Sequence, residues 1–576
     1  MRKLCGILAC VLLLCAVWTG AWAEDELLTD GPWSYRLLED GTAELKGYTG
    51  GETVLTLPDA LGGVPVTRVA SQTFRETGVT DVTVPEGVTA IGKSAFYNCR
   101  QLTRLRLPES LTTLGTYVCS GCEKLETIRI PDGVTAIPKS AFSFCYKLSR
   151  VELGAGVTKI GDSAFIFDDQ LQGMRLPEGL VEIGTEAFLY CSGLWMITLP
   201  DSLEHLGEGA FEADNLLDLR VSADHPVFRL ENGALYNTKE QLLCLVLASA
   251  SPVTFEVAEG TRIIGQAAFK RCEKLQEVRL PRSLERIGTE AFCLCFKLER
   301  IDFPENLAVI GEEAFTFAGL TGRLELPDRL VELGDAAFFG CDLSSVSLPL
   351  SLQKIGDNPF AAIFTLRSIA IRGEHPFLRV VDGVLFDESA HRLICMPAKL
   401  DLETYAIPEG TESIDSNALN HSETLTELSI PGSVTRIGNA AFMSCDKLAR
   451  VSFPERLEEM ESMAFYSCEA LEEITLPDGL ETLGDSTFLA CPKLKTVILG
   501  RDFRAIKEDA FSNCPLLTRV VLPREMKEIA ADVFEGSPQA AFEVIAGSPA
   551  AALVRSLGLP FAEVEDPRLT KPDAKT

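Results

Sequence analysis

Cysteine is the residue in this 576-residue chain best placed to do chemistry, and its spacing is regular. Of 18 cysteines, Cys5, Cys10 and Cys15 lie in an apolar N-terminal run. Eleven of the others stand three residues after a phenylalanine or a residue in its place: Cys99, Cys122, Cys145, Cys191, Cys272, Cys295, Cys341, Cys445, Cys468, Cys491 and Cys514. So many thiols could form disulfides, hold a metal or work as redox groups. A residue type fixed in one recurring slot does the same packing task each time. We therefore read the column as free thiols buried as small hydrophobes. Disulfides between neighbouring copies are the alternative, because adjacent backbones about 5 Å apart can be bridged. The odd number and the interruptions at Asp168, Asp214 and Ala318 favour free thiols. Cys119 and Cys122 form a C-x-x-C, but one fills the phenylalanine slot and the other the cysteine slot, so burial is expected of both.

Arginine is the second candidate. Arg104, Arg106, Arg129, Arg150, Arg175, Arg220, Arg279, Arg300 and Arg323 occupy the two outward positions of a recurring L-x-x-[LIV]-x-[LI] segment. The guanidinium fork suits carboxylate and phosphate groups. Between Arg104 and Glu325 the same positions also hold Glu152, Asp218, Glu277, Asp302 and Glu325. Two readings follow: a solvated ladder of ion pairs, each worth little, or a ligand-binding stripe for an anionic partner. From Ser345 to Val521 the charged members are only Glu427, Arg450, Glu473 and Arg519, and serine and threonine prevail.

Other chemistry finds little support. The five histidines, His205, His225, His375, His391 and His421, have no partner at metal-ligand spacing. No nucleophile elbow, zinc-protease or phosphate-loop pattern occurs. The expectation is no enzyme, no metal and no cofactor. A net charge of −30 argues against nucleic acid as a partner.

The elements that position these residues come from a repeat. VTAIGKSAFYNCRQLTRLRLPESL from Val88 returns as LERIGTEAFCLCFKLERIDFPENL from Leu284. The marker phenylalanine, with Cys119 and Leu419 in its place twice, defines 18 units, most of them 23 residues apart. One unit cannot bury its own apolar face, so the units must stack. Alternation in LTRLRLP (from Leu102) predicts a strand that Pro108 ends. The Ile-Gly pair predicts a second extended step, and A-F-x-x-C a short helical or 3₁₀ turn.

Two inserts of about 35 residues interrupt the period. They are alike: HPVFRLENGALYN from His225 and HPFLRVVDGVLFD from His375, each with an Asn-Gly or Asp-Gly hairpin turn. The matching positions of His225 and His375 suggest turn geometry. Trp33 to Gly50 reads as a hairpin cap and Gly547 to Phe561 as a helical one. Arg2, Lys3, the apolar Leu4 to Val17 and Ala21-Trp22-Ala23 read as a signal peptide cleaved before Glu24, with lipidation at Cys15 the weaker alternative. The expected order is leader 1–23, cap 24–60, repeats 61–221, insert 222–256, repeats 257–371, insert 372–406, repeats 407–540, cap 541–562 and polar tail 563–576.

The unit L-P-x-x-L-x-x-I-G-x-x-A-F-x-x-C resembles the BspA-type, or Treponema pallidum-type, leucine-rich repeat, over about residues 30–562. That resemblance implies a β-rich, right-handed leucine-rich-repeat solenoid of about 18 units with two hairpin inserts and terminal caps. It also implies a bacterial surface or secreted protein, in some members an adhesin. The expected function is an extracellular binding scaffold working through its strand face. Its partner would be an extracellular protein or an anionic glycan, with no membrane span in the mature chain. Localisation is expected to be secreted, with surface association open. A structural component of an envelope or extracellular matrix is the alternative.

Overall fold

The computed structural model describes residues 27–211, 216–247, 250 and 252–565. The leader, Asp214 and most of the polar tail lie outside them. The chain divides into two compact units, 1–227 and 228–576. Each is a β-solenoid, and together they make about 22 turns. The 18 marker-bearing coils account for most of these, and the caps and inserts supply the rest.

Every regular coil carries two short strands. In the first unit Val54–Thr56, Asp81–Thr83, Arg104–Arg106, Thr127–Arg129 and Arg150–Glu152 stack in parallel as one sheet. Their middle residues are buried and most of those flanking them point outward, which realises the alternation in the sequence. The Ile-Gly step forms a second parallel ladder, as in Ala90–Ile91 against Thr113–Leu114. Its glycine is required by close approach of successive coils. A Cβ on Gly115 would lie 2.3 Å from the Lys93 nitrogen and 2.4 Å from the Gly92 carbonyl carbon.

The A-F-x-x-C segment is not the helical turn the sequence suggests. Residues two before and two after the marker adopt positive φ, for example Ser94 (54°) and Asn98 (58°) around Phe96. Alternating left-handed residues turn backbone groups toward the neighbouring coil instead of along a helix axis. Phe74 N–H and Glu76 N–H donate to the Ala95 and Tyr97 carbonyls one coil on, at 2.8 Å each. The markers point inward and stack: Phe142, Phe165, Phe188 and Phe211 have ring centroids 5.6, 5.3 and 5.3 Å apart. In the second unit Phe269, Phe292, Phe315 and Phe338 do the same, at 4.8, 5.1 and 5.1 Å.

The cysteine column is a hydrogen-bonding ladder as well as filler. All 15 cysteines of the described residues are free thiols, and all but Cys244 are buried. The Cys99 thiol donates to the Phe74 carbonyl at 2.8 Å, Cys122 to Phe96 at 3.1 Å, and Cys295 to Phe269 at 3.0 Å. Each accepting carbonyl belongs to the marker of the preceding coil. Ser537, in the same slot of the last unit, donates to Phe511 at 2.7 Å. Burial pushes the Cys99 thiol up to about 11 and the Cys445 thiol up to about 12. Asp168 breaks the column. Its Oδ1 accepts the Cys145 N–H at 2.8 Å, Oδ2 is buried without a hydrogen-bond partner among the described residues, and burial drives the carboxyl well above its ordinary range.

The second insert is more than a hairpin. Leu378–Val381, Val384–Asp387 and Arg392–Cys395 form an antiparallel meander, and the last strand pairs in parallel with Ser413–Ile414 of the next coil. It is thus a rung of the ladder. Asp382 (φ 50°) and Gly383 (φ 87°) make the tight turn that the Asp-Gly pair predicts. Leu378, Leu385 and Ile394 join the core of the preceding coils, while Val384, Phe386 and Leu393 join that of the following ones. The meander is a septum, apolar on both faces.

Arg392 seals one edge of that septum. The preceding ladder ends at Lys354–Ile355. The Arg392 guanidinium donates to the Ile355 and Gly356 carbonyls at 2.6 and 3.1 Å, where another strand's N–H groups would stand. It also pairs with Asp415 at 2.6 Å and lies 3.6 Å from Asp387. Burial carries Asp415 up to about 7 despite that arginine.

The N-terminal cap repeats this plan. Leu28–Asp30, Trp33–Leu37 and Ala43–Tyr48 form an antiparallel meander whose last strand pairs in parallel with Val64–Val69. The first insert carries the same three strands, Phe228–Glu231, Ala234–Asn237 and Leu242–Val246. The C-terminal cap is the helix Pro549–Ser556. Ser548 accepts the Ala551 N–H at its N-terminus, and Ala550, Ala551 and Val554 are buried.

Candidate functional site

The outward positions of the first-strand ladder are where side chains escape packing. In the first unit the register sets Asp81 beside Arg104 and Thr83 beside Arg106. Arg104 and Arg106 both reach Asp81, at 3.3 and 2.9 Å. Arg129 pairs with Glu109 from the turn after the previous strand. Arg150 takes Glu152 of its own strand at 2.5 Å, and Arg220 takes Asp218 at 2.6 Å. In the second unit Arg279 pairs with Glu277 at 3.0 Å, Arg300 with Asp302 at 3.1 Å and Arg323 with Glu325 at 2.9 Å. Most of these pairs are open to solvent, Arg300 and Asp302 being 82% and 81% exposed; Asp81, at 22%, is the more covered partner. Such pairs exchange partners readily and hold little energy.

Arg175 differs. It is exposed, and no ion pair is formed to it among the described residues. The reason lies in its coil. Gly173 occupies the outward position where other units carry a side chain, and the segment does not form a strand. Among the described residues its one ladder contact is an isolated bridge, Gly173 to Met196. The sheet therefore stops at Arg150–Glu152 and a separate two-stranded one begins with Met196–Thr198 and Asp218–Arg220. The break leaves a groove of about 880 Å³. Arg175 and Arg220 line it together with Trp195, Thr198 and, at the turn end, Glu178 and Asp201.

Of the nine arginines, the groove brings together Arg175 and Arg220. Sequence reasoning missed Asp81 and Glu109. Asp81 sits in the same column one unit before Arg104, where counting from Arg104 stopped short. Glu109 lies off the strand, so the column pattern could not reveal it. Trp195 was also missed, although a tryptophan where sister units carry Thr103, Glu126, Ser149 and Gln172 is a visible anomaly. The residue is 46% exposed.

The two prominent histidines serve turns. His225 Nε2 donates to the Pro200 carbonyl at 3.0 Å, and Nδ1 accepts the Val227 N–H at 3.1 Å. His375 Nδ1 accepts the Leu378 N–H at 3.1 Å. Among the described residues no three His, Cys, Asp or Glu side chains stand close enough to hold a metal ion. Among them, too, no helix is long and apolar enough to cross a membrane.

A family model described as BspA type leucine rich repeat region, six copies, matches residues 67–194, 150–251, 248–367 and 412–540. No curated protein matches the chain. Three solved structures are similar in fold. A leucine rich cell surface protein from Faecalibacterium prausnitzii is 22% identical, over 88% of this chain and 96% of that one, with a TM-score of 0.33. The pneumococcal vaccine antigen PcpA is 18% identical over 94% and 98%, with a TM-score of 0.35. The leucine-rich-repeat protein of T. pallidum is 23% identical over 47% and 91%, with a TM-score of 0.22.

Proposed function

Because this chain belongs to the BspA-type leucine-rich-repeat family, we propose that it is a secreted, adhesin-like binding scaffold whose strand face takes an extracellular protein or an anionic glycan. The observation that carries this reading is the division of labour within each coil. Phenylalanine, leucine and cysteine columns hold the stack, while the outward positions of the first strands carry arginines most of whose carboxylate partners are exposed. An extended face of this kind can be rewritten without touching the core, which suits recognition. The nine arginines of the stripe are the proposed contact residues, and their exposed partners are exchangeable for an anionic ligand. The charge of −30 over the chain confines such a ligand to the few places where arginine gathers. The reading assigns the chain binding, with no catalytic step and no nucleic-acid partner.

Capture tests it. The purified chain, without residues 1–23, is immobilised and challenged with extracellular matrix proteins and with bacterial envelope fractions. Saturable capture that weakens as salt rises supports the reading. Self-assembly into sheets or filaments with no captured partner favours a structural role in an envelope or matrix. Reproducible turnover of a glycan or peptide would refute it.

A further inference from the structure

We propose that the groove at the broken ladder of the first unit is a subsite for an acidic oligosaccharide, one carrying hexuronate residues. This rests on reading the strand face as the ligand face, and it narrows that reading to one place and one ligand class.

Four features converge there. The first is a cation without an internal partner: Arg175 forms no ion pair among the described residues, whereas its eight counterparts each hold a carboxylate. Their acids would compete with a ligand; Arg175 has no such competitor to lose. The second is an exposed indole in the same groove. Trp195 presents a flat apolar surface of the kind on which a pyranose ring can lie, and Leu217, in the same position one coil on, is 55% exposed.

The third feature is spacing. Gly173 aligns with Met196, and Thr198 with Arg220, so Arg175, Thr198 and Arg220 stand in one column on successive coils. At about 4.8 Å per coil the two arginines bracket roughly 10 Å, the span of two to three sugar units. The fourth is the far end of the groove, where Glu178 and Asp201 follow the two prolines. Carboxylates accept hydrogen bonds from hydroxyl groups and repel other acids. They fit a ligand whose carboxylates are set apart by hydroxylated rings, and they disfavour a dense run of aspartate or glutamate. The groove's volume also falls within the usual range for small-ligand sites of roughly 300–1,000 Å³.

The origin of the groove lies in the sequence. Gly173 lies at the break, where a Cβ would stand 3.3 Å from the Met196 carbonyl oxygen, and the unit that carries it also carries Arg175.

The test is calorimetric titration of the full chain lacking residues 1–23 with trigalacturonic acid, in chelator-containing buffer so that no divalent ion bridges the charges. The expected result is saturable binding, at least about tenfold weaker for the fully methyl-esterified trimer, which keeps the rings and removes the charge. Arg175→Gln should abolish the preference for acid over ester. Trp195→Ala should weaken both trimers about tenfold. Lys274→Gln, the same charge change elsewhere, should leave both constants unchanged, and all three variants should melt with the parent. The proposal is overturned if the acid does not bind, if acid and ester bind alike, if Arg175→Gln changes nothing, or if triglutamate binds better than the sugar acid. Capture of matrix or envelope fractions undiminished in the Arg175 and Trp195 variants would remove the groove while leaving the strand face as the ligand face. Loss of capture by the parent chain would remove the broader reading first.

Discussion

At the scale of single residues, the cysteine slot illustrates how a reactive group is made inert. A thiol in this position sits where the backbone ladder leaves the marker carbonyl without an inter-coil donor, and the S–H supplies one. The bond is weak, but it recurs coil after coil, and burial raises the thiol away from its reactive form. A thiol reagent should therefore label few of the 15 cysteines in the native chain and all of them after denaturation; mass spectrometry that found most of them paired before reduction would contradict this. The sequence revealed the slot and its burial because the spacing repeats. It could not reveal the acceptor, which belongs to a carbonyl about 26 positions earlier. Asp168 shows the cost of the wrong group there. Its folded form keeps a proton that the unfolded chain releases, so its contribution is favourable below about pH 4 and is lost as pH rises toward the raised folded value. Asp168→Cys should restore the missing donor and stabilise the chain at pH 7 by about 1–3 kcal/mol. The gain should shrink at pH 4. Equal melting shifts at the two pH values would show that the carboxyl is not the source of the penalty.

At the scale of the element, a coil is stable only through its neighbours. Phe292 lies fully buried between Phe269 and Phe315. Phe292→Ala should cost about 3–5 kcal/mol, because the hole is shared by three coils and cannot close. Lys274→Ala, on an exposed turn, should cost less than about 0.5 kcal/mol. Thermal melts of the two variants check the inward and outward assignment directly. Both strands of the coil were legible, the first from alternation and its terminal proline, the second from the Ile-Gly pair. The A-F-x-x-C turn was not, because left-handed conformations at Ser94 and Asn98 are imposed by stacking against the next coil and carry no glycine to announce them. The broken strand at Gly173 escaped for a related reason. One glycine in an outward position looks harmless in a single unit, and its effect appears only when the unit must pair on both sides.

At the scale of the whole chain, the sequence showed repeats, inserts and caps, and it hid how the inserts join. A hairpin pattern reveals two strands and a turn. It does not show that a third strand becomes a ladder rung, or that alternate residues of the second insert face two different cores. The distinction has a measurable consequence. A fragment of residues 375–576 retains its own meander, the Arg392–Asp415 pair and the C-terminal helix. It should fold, but Leu378, Leu385 and Ile394 would then face water, and it should self-associate. Replacing those three with Ser, Thr and Thr should return it to a monomer with an unchanged circular dichroism spectrum; sedimentation distinguishes the two outcomes, and a monomeric parent fragment would contradict the septum. The meander at the N-terminus keeps one face polar, through Ser34, Arg36, Glu44 and Lys46, where the internal one has rewritten it as apolar. A block copied with such a polar cap would therefore stand as a separate bead on the chain until that face became apolar and could pack on its predecessor.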